Sequence, residues 1–198
     1  MSALQHFRAP EGLAPGPGYS HAVTGRGRWI ATAGQVALDD AGQLVGPNDP
    51  EAQARQVFGR LLGRSLLTLA NAITVAAPIA ADWNDSHIFN QRWPGHARFH
   101  GVTALAMATT LSAVNIWSVW ADDGDRATAR FFAAAVPVAY WAPFFLAPLV
   151  PGTTLEDEPH PVPRLAGVPT NVLGAAATTA TAVAGWLIDR RTASSSAS

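Results

Sequence analysis

The sequence predicts a mostly α-helical protein, a four-helix transmembrane bundle preceded by a short α+β segment. Three observations carry this expectation. Of 198 residues, 48% are hydrophobic and only 14% are charged, whereas an ordinary soluble domain carries about 25% charged residues. The charge is also uneven. Residues 1–63 hold ten charged side chains, five Arg and five acidic, but from Ser65 to Ile188 the charges retreat into short clusters between long uncharged runs. Four of those runs reach the length of a spanning helix, about 17–25 residues. The pattern excludes both a single soluble domain and disorder.

Residues 14–58 read as a compact α+β piece. Tyr19–Val23 and Trp29–Thr32 are strand-like and bracketed by glycines, and Val36–Leu38 runs into a turn at Asp39-Asp40-Ala41-Gly42. Asp49 is placed as a helix N-cap with Pro50 at the first helical position. Ala54, Val57, Phe58 and Leu61 form an i, i+3, i+4, i+7 stripe expected to cover a sheet.

The four apolar runs follow, with helices expected at about 65–81, 96–121, 131–150 and 171–188. The third carries Pro137, Pro143 and Pro148, which a soluble helix would not tolerate but packed spans do. In the fourth, Ala177, Thr181 and Gly185 recur every four residues, a spacing that permits close helix approach. Trp117, Trp120 and Trp186 fall near run ends, where indoles favour the interface, while Trp141 sits mid-run as a packing residue. Asn115 is expected to make an interhelical hydrogen bond. Arg60, Arg64, Arg126, Arg130, Arg190 and Arg191 fall on one side, against Arg92, Arg98 and Arg164 on the other. That bias puts both termini in the cytoplasm and the protein in the cell (inner) membrane as a multi-pass chain. The expected organisation is residues 1–62 as the α+β segment, 64–191 as the membrane domain and 192–198 as a disordered tail.

Chemistry concentrates between the first two spans. Residues 82–100 hold three of the six histidines, two Asp and two Arg. Pro94 suits the first turn of the second helix. His96 and His100, four apart, project from one face at the spacing of a two-histidine metal pair. Asp82, Asp85 and His87 face them across the turn, with Asn84, Asn90 and Arg98 completing the polar set. Three readings stand: a structural clamp in which Arg98 pairs with Asp82 or Asp85, a small-molecule or lipid site, and a divalent-metal site at His96 and His100.

Two stretches resemble known families. Pro17-Gly18-Tyr19-Ser20-His21-Ala22-Val23, Ala33-Gly34-Gln35-Val36, Gly42-Gln43-Leu44-Val45-Gly46 and Ala52-Gln53-Ala54-Arg55-Gln56-Val57-Phe58 resemble the first half of the RidA (YjgF/UK114) enamine and imine deaminases. The resemblance implies a chorismate-mutase-like α+β fold, here truncated, since the likeness ends after Phe58. Only Tyr19 matches an active-site position, and Ala33 stands where the family typically has Ser. The half that carries the family's carboxylate-holding arginine is missing, which disfavours deaminase activity because positioning supplies most of that catalysis. Residues 64–191, through Ala81-Asp82-Trp83-Asn84, His87-Ile88-Phe89-Asn90 and Trp93-Pro94-Gly95-His96-Ala97-Arg98-Phe99-His100, resemble an uncharacterised family of small four-helix bacterial membrane proteins. A looser, architectural likeness is to the membrane sterol-isomerase and lipid-chaperone group.

The composition narrows function further. The chain has no Cys and no Lys, which removes thiolate chemistry, Schiff bases and Walker-type phosphate loops. A net charge of −1 without a basic stripe argues against nucleic acid. The first twenty residues lack an apolar h-region, so no secretory signal peptide is expected. The expected partners are the bilayer, a small apolar ligand and a second copy of the chain. The expected function is structural or lipid-binding, with a membrane enzyme built on the polar cluster as the alternative.

Overall fold

The computed structural model describes residues 5–7, 22–24, 36–39, 42–121, 125–156 and 160–194. The chain divides into two units, residues 1–35 and 36–198. In the first, β1 (Gln5–Phe7) pairs antiparallel with β2 (Ala22–Thr24), with His6 opposite Val23. Ala22 and Val23 belong to the strand expected at Tyr19–Val23. Tyr19 and the strand expected at Trp29–Thr32 lie outside the described residues.

The second unit opens with Leu38 and Leu44 paired in a single bridge, and Gly42 takes the left-handed conformation at φ +76°. Asp49 then caps α1 (Pro50–Asp82) through bonds from the Glu51 and Ala52 amides, with Pro50 in the first turn. The helix expected at Asp49 and the first apolar run are therefore one continuous 33-residue element. Its buried face is Gln56, Arg60, Gly63 and Leu67, not the Ala54–Val57–Phe58–Leu61 stripe; Phe58 is 69% exposed. Gln56 Nε2 and Arg60 Nη1 both donate to the Leu38 carbonyl, at 3.0 and 2.8 Å. Packing against the last helix sets this phase, because the Gly63 backbone lies against Asp189 and any Cβ there would come within 3.0 Å of Asp189 backbone atoms.

The remaining spans are α2 (Gly95–Trp120), α3 (Arg126–Trp141) and, after a short α4 (Pro143–Leu146), a β-hairpin and α5 (Thr170–Ser194). Pro94 precedes α2 as its cap residue rather than sitting inside the first turn. Asp125 caps α3, which starts five residues earlier than the apolar run suggests, and the chain breaks at Ala142 before Pro143. The hairpin joins β3 (Arg164–Leu165) to β4 (Val168–Pro169) through Ala166 and Gly167, both at positive φ. Residues 192–194, expected in a disordered tail, complete α5, and 195–198 lie outside the described residues. All four spans, counting 126–149 as one, are long and apolar enough to cross a membrane.

The bundle packs small and polar side chains inside and turns large apolar ones outward. Leu67 and Val119 are its buried large aliphatics near the Arg-rich end, and the other buried positions are mainly Ala, Ser, Thr, Asn and Gly. Phe99, Met107, Val114, Phe131 and Leu146 are each more than half exposed. In water such a surface would aggregate, whereas in lipid, small and polar residues are what bring helices together. On α5 the buried series is Ala175, Thr178, Ala182, Gly185 and Asp189. Of the expected small-residue stripe only Gly185 packs, against the Leu67 amide and Gly63 carbonyl, while Ala177 is exposed.

A hydrogen-bonded rung crosses the bundle. Pro137 lacks the N–H that would bond the Ala133 carbonyl. Asn71 supplies the missing donor from α1, its Nδ2 lying 2.7 Å from Ala133 O and 2.9 Å from Leu67 O. Asn115 Nδ2 donates to Asn71 Oδ1 at 3.2 Å and to Phe132 O at 3.1 Å, the interhelical role expected of it. One turn along α1, the buried Trp141 donates from Nε1 to Thr74 Oγ1 at 3.0 Å. Asn71→Ala should destabilise the bundle in detergent by about 1 kcal/mol. Pro137→Ala restores the backbone donor to Ala133 O, so Asn71→Ala should cost less in that background. Thermal unfolding of the two single variants and the double variant measures the coupling.

Candidate functional site

The loop between α1 and α2 is organised by helix-capping chemistry. Asn84 Nδ2 donates to Ala81 O and Ala80 O, ending α1, and Asn84 Oδ1 accepts from the Ser86 amide at 2.8 Å and from its hydroxyl. With the Ser86 proton committed there, His87 Nδ1 at 2.7 Å is placed to donate to Ser86 Oγ. His87 Nε2 then faces Asp82 Oδ1 at 3.9 Å, and its ring meets Trp93 edge-on. The buried Asn90 donates to Ser86 O at 3.1 Å and accepts from the Arg92 amide at 2.9 Å.

Arg98 closes the loop from α2 by a different bond from the expected clamp. Its Nη2 donates to the Asn90 carbonyl at 2.8 Å, while Nε is buried without a partner. Neither Asp82 nor Asp85 reaches it, because Asp82 faces His87 and Asp85 points outward, exposed. His96 and His100 are exposed, with Nε2 atoms 3.0 Å apart. That pair offers two nitrogens to a cation. Among the described residues no group of three or more His, Cys, Asp or Glu could hold a metal ion, and closed structural zinc sites use four ligands.

At the opposite end of the bundle lie features that no sequence motif marks. Arg130 Nη1 pairs with Asp189 Oδ2 at 2.9 Å, both side chains 8% exposed, and Asp189 Oδ1 is buried with no hydrogen bond. Arg60, Arg64 and Arg126 line the same small recess, which holds about 10 Å³, near the volume of a single water site. Arg64 lies over the Trp120 ring and Arg190 over Trp186, at 5.8 and 5.0 Å. A lone acid in the last turn of an otherwise apolar run was the available signal for Asp189.

Next to this recess, α2 and α3 splay to form a cleft of about 410 Å³. Its walls are apolar: Leu111, Val114 and Trp117 from α2, Phe132 and Val136 from α3, with Asn115 at the base. Asp125 and Arg126 stand at its rim, and Ser118, Arg126 and Ala129 also line the recess. The cleft opens on the outer face of the bundle, since Val114, Trp117 and Phe132 are 55%, 71% and 52% exposed. Its volume is within the range of about 300–1,000 Å³ usual for ligand pockets.

The model of a family of unknown function, DUF6640, matches residues 66–195, roughly two thirds of the chain. The chain belongs to the DUF6640 family. Both the loop cluster and the cleft lie within the family region. The Endoribonuclease L-PSP family model, the one the RidA-like residues resemble, matches residues 10–105. That similarity runs past Phe58, where the residue-level likeness ends, and overlaps the DUF6640 match over 66–105. Residues 59–105 are here α1, the capping loop and the start of α2, without a strand. No curated protein and no solved structure matches the chain.

Two outcomes follow from these contacts. Arg130→Ala strands a buried carboxylate and should destabilise the bundle by about 3–5 kcal/mol, well beyond Arg98→Ala, as read by thermal unfolding in detergent. In the 151–169 loop, Glu156 accepts from the Val162 amide at 2.9 Å and the Arg164 guanidinium at 2.6 Å, which holds its carboxyl below the ordinary 4.5. A lowered folded-state pKa means the clasp is fully formed above pH 4.5 and is lost as pH falls through the lower value. Amide exchange at Val162 should accelerate over that acid range in the wild type and be fast at neutral pH in Glu156→Gln.

Proposed function

We propose that this protein binds a bilayer lipid in the α2–α3 cleft, and that the Asp82–His100 loop is a structural closure of the α1–α2 hairpin. The observation that carries this reading is the cleft itself, about 410 Å³ of apolar space on the outer face, ending at charged side chains. Apolar walls take an acyl chain, and the polar rim takes a headgroup. The loop residues support a structural role, since Asn84, Ser86, Asn90 and Arg98 direct their hydrogen bonds to capping and to backbone carbonyls. In this reading Asp82, Asp85, His87, His96 and His100 line the far membrane face, and the Arg-rich end with both termini faces the cytoplasm.

Two experiments test it. The full chain purified in mild detergent should retain phospholipid, measured by mass spectrometry, and Ala129→Trp, which fills the cleft, should lose most of it. Equal retention by the two proteins would overturn the lipid reading. For orientation, a reporter active only outside the cytoplasm should be silent after Ser198 and active when inserted in the 151–169 loop; the reverse pattern would invert the topology.

A further inference from the structure

We infer that the cleft selects a zwitterionic phospholipid, its phosphate on Arg126 and its ammonium on Asp125; this rests on the lipid reading above and adds the headgroup. Arg126 is half-buried at the cleft rim and makes no hydrogen bond or ion pair among the described residues. A cation that makes no ion pair, beside apolar walls, is matched by an anionic group at the head of an acyl chain, and Arg suits phosphate through its planar fork of donors.

The rim does not suit a purely anionic headgroup. Asp125 lines the same cleft, and its carboxyl is held below the ordinary 3.8, chiefly by the Thr128 hydroxyl, so it stays ionised at neutral pH. Against this carboxylate a head that carries only a phosphate gains nothing, whereas an ammonium linked to the phosphate is attracted. Trp117, 71% exposed on the same cleft, supplies an indole, the ring type that binds ammonium groups best. One adjacent cation and anion beside an exposed indole thus complement the phosphate and ammonium of a zwitterionic head.

The test uses the full chain, delipidated in detergent and presented with dioleoyl phosphatidylcholine or dioleoyl phosphatidylglycerol, with bound lipid counted by native mass spectrometry. Phosphatidylcholine should bind about tenfold more tightly than phosphatidylglycerol, the discrimination expected of a single favourable interaction with a charged group. Arg126→Gln should weaken phosphatidylcholine binding by a similar factor. Asp125→Asn should abolish the preference, yet keep α3 intact because Asn also caps helices well; unchanged helix content by circular dichroism checks this. Equal binding of both lipids by the wild type, lost in Ala129→Trp, would overturn the headgroup assignment and leave the cleft reading standing. Stronger binding of phosphatidylglycerol, or a preference that survives Asp125→Asn, would also overturn it. Binding of neither lipid would remove both.

Discussion

The structure depends on one backbone defect and its repair. Pro137 leaves the Ala133 carbonyl without a helical donor in the middle of a membrane span, where an unsatisfied polar group is costly. Asn71 reaches across from α1 to that carbonyl, and Asn115 joins from α2, bonding both Asn71 and the Phe132 carbonyl. Three helices are therefore tied in register by a network in which each amide nitrogen has a partner. A fully satisfied buried network specifies one arrangement, where a greasy interface in lipid would permit many.

The rest of the bundle is arranged around that rung. Gly63 and Gly185 let α1 and α5 approach closely enough for backbone contact, and Trp141 locks α3 to Thr74. Large apolar side chains are then released to the outer surface, where lipid takes the place of a hydrophobic core. The same arrangement opens the α2–α3 cleft, whose walls of Val114, Trp117 and Phe132 face outward. The two ends differ in kind. One is closed by capping turns and the Arg98 bond to the Asn90 carbonyl, and the other gathers arginines around Asp189 and two indole rings.

The amino-terminal similarity acquires a physical meaning from α1. The RidA-like sequence enters this helix at Pro50, and the helix continues without a break into the bundle. Its polar face, Gln56 and Arg60, is bonded to the Leu38 carbonyl, while Phe58 is exposed. A helix that covered a sheet would bury Phe58; this one is phased by its contact with α5 instead. From Pro50 to residue 105 the Endoribonuclease L-PSP similarity is thus one of sequence, over a stretch that here folds into α1, the capping loop and the start of α2.

By itself the sequence determined the number of spans, the Arg bias, the Asp49 cap and the interhelical role of Asn115. Each follows from local properties: run length, charge counts, capping chemistry and the cost of an amide in lipid. The start of α3 and the continuity of α1 were less legible, because a capped polar turn extends a helix beyond its apolar part. Tertiary structure alone decided which faces meet. A four-residue spacing permits several helical phases, so Ala177 could not be told from Ala175 without the partner helix. Arg98 found the Asn90 carbonyl instead of a carboxylate because the loop's turn carries Asp85 outward. Asp189 and Arg130 are 59 residues apart in sequence, and the cleft belongs to no single segment. Both exist only once helices distant along the chain are packed side by side.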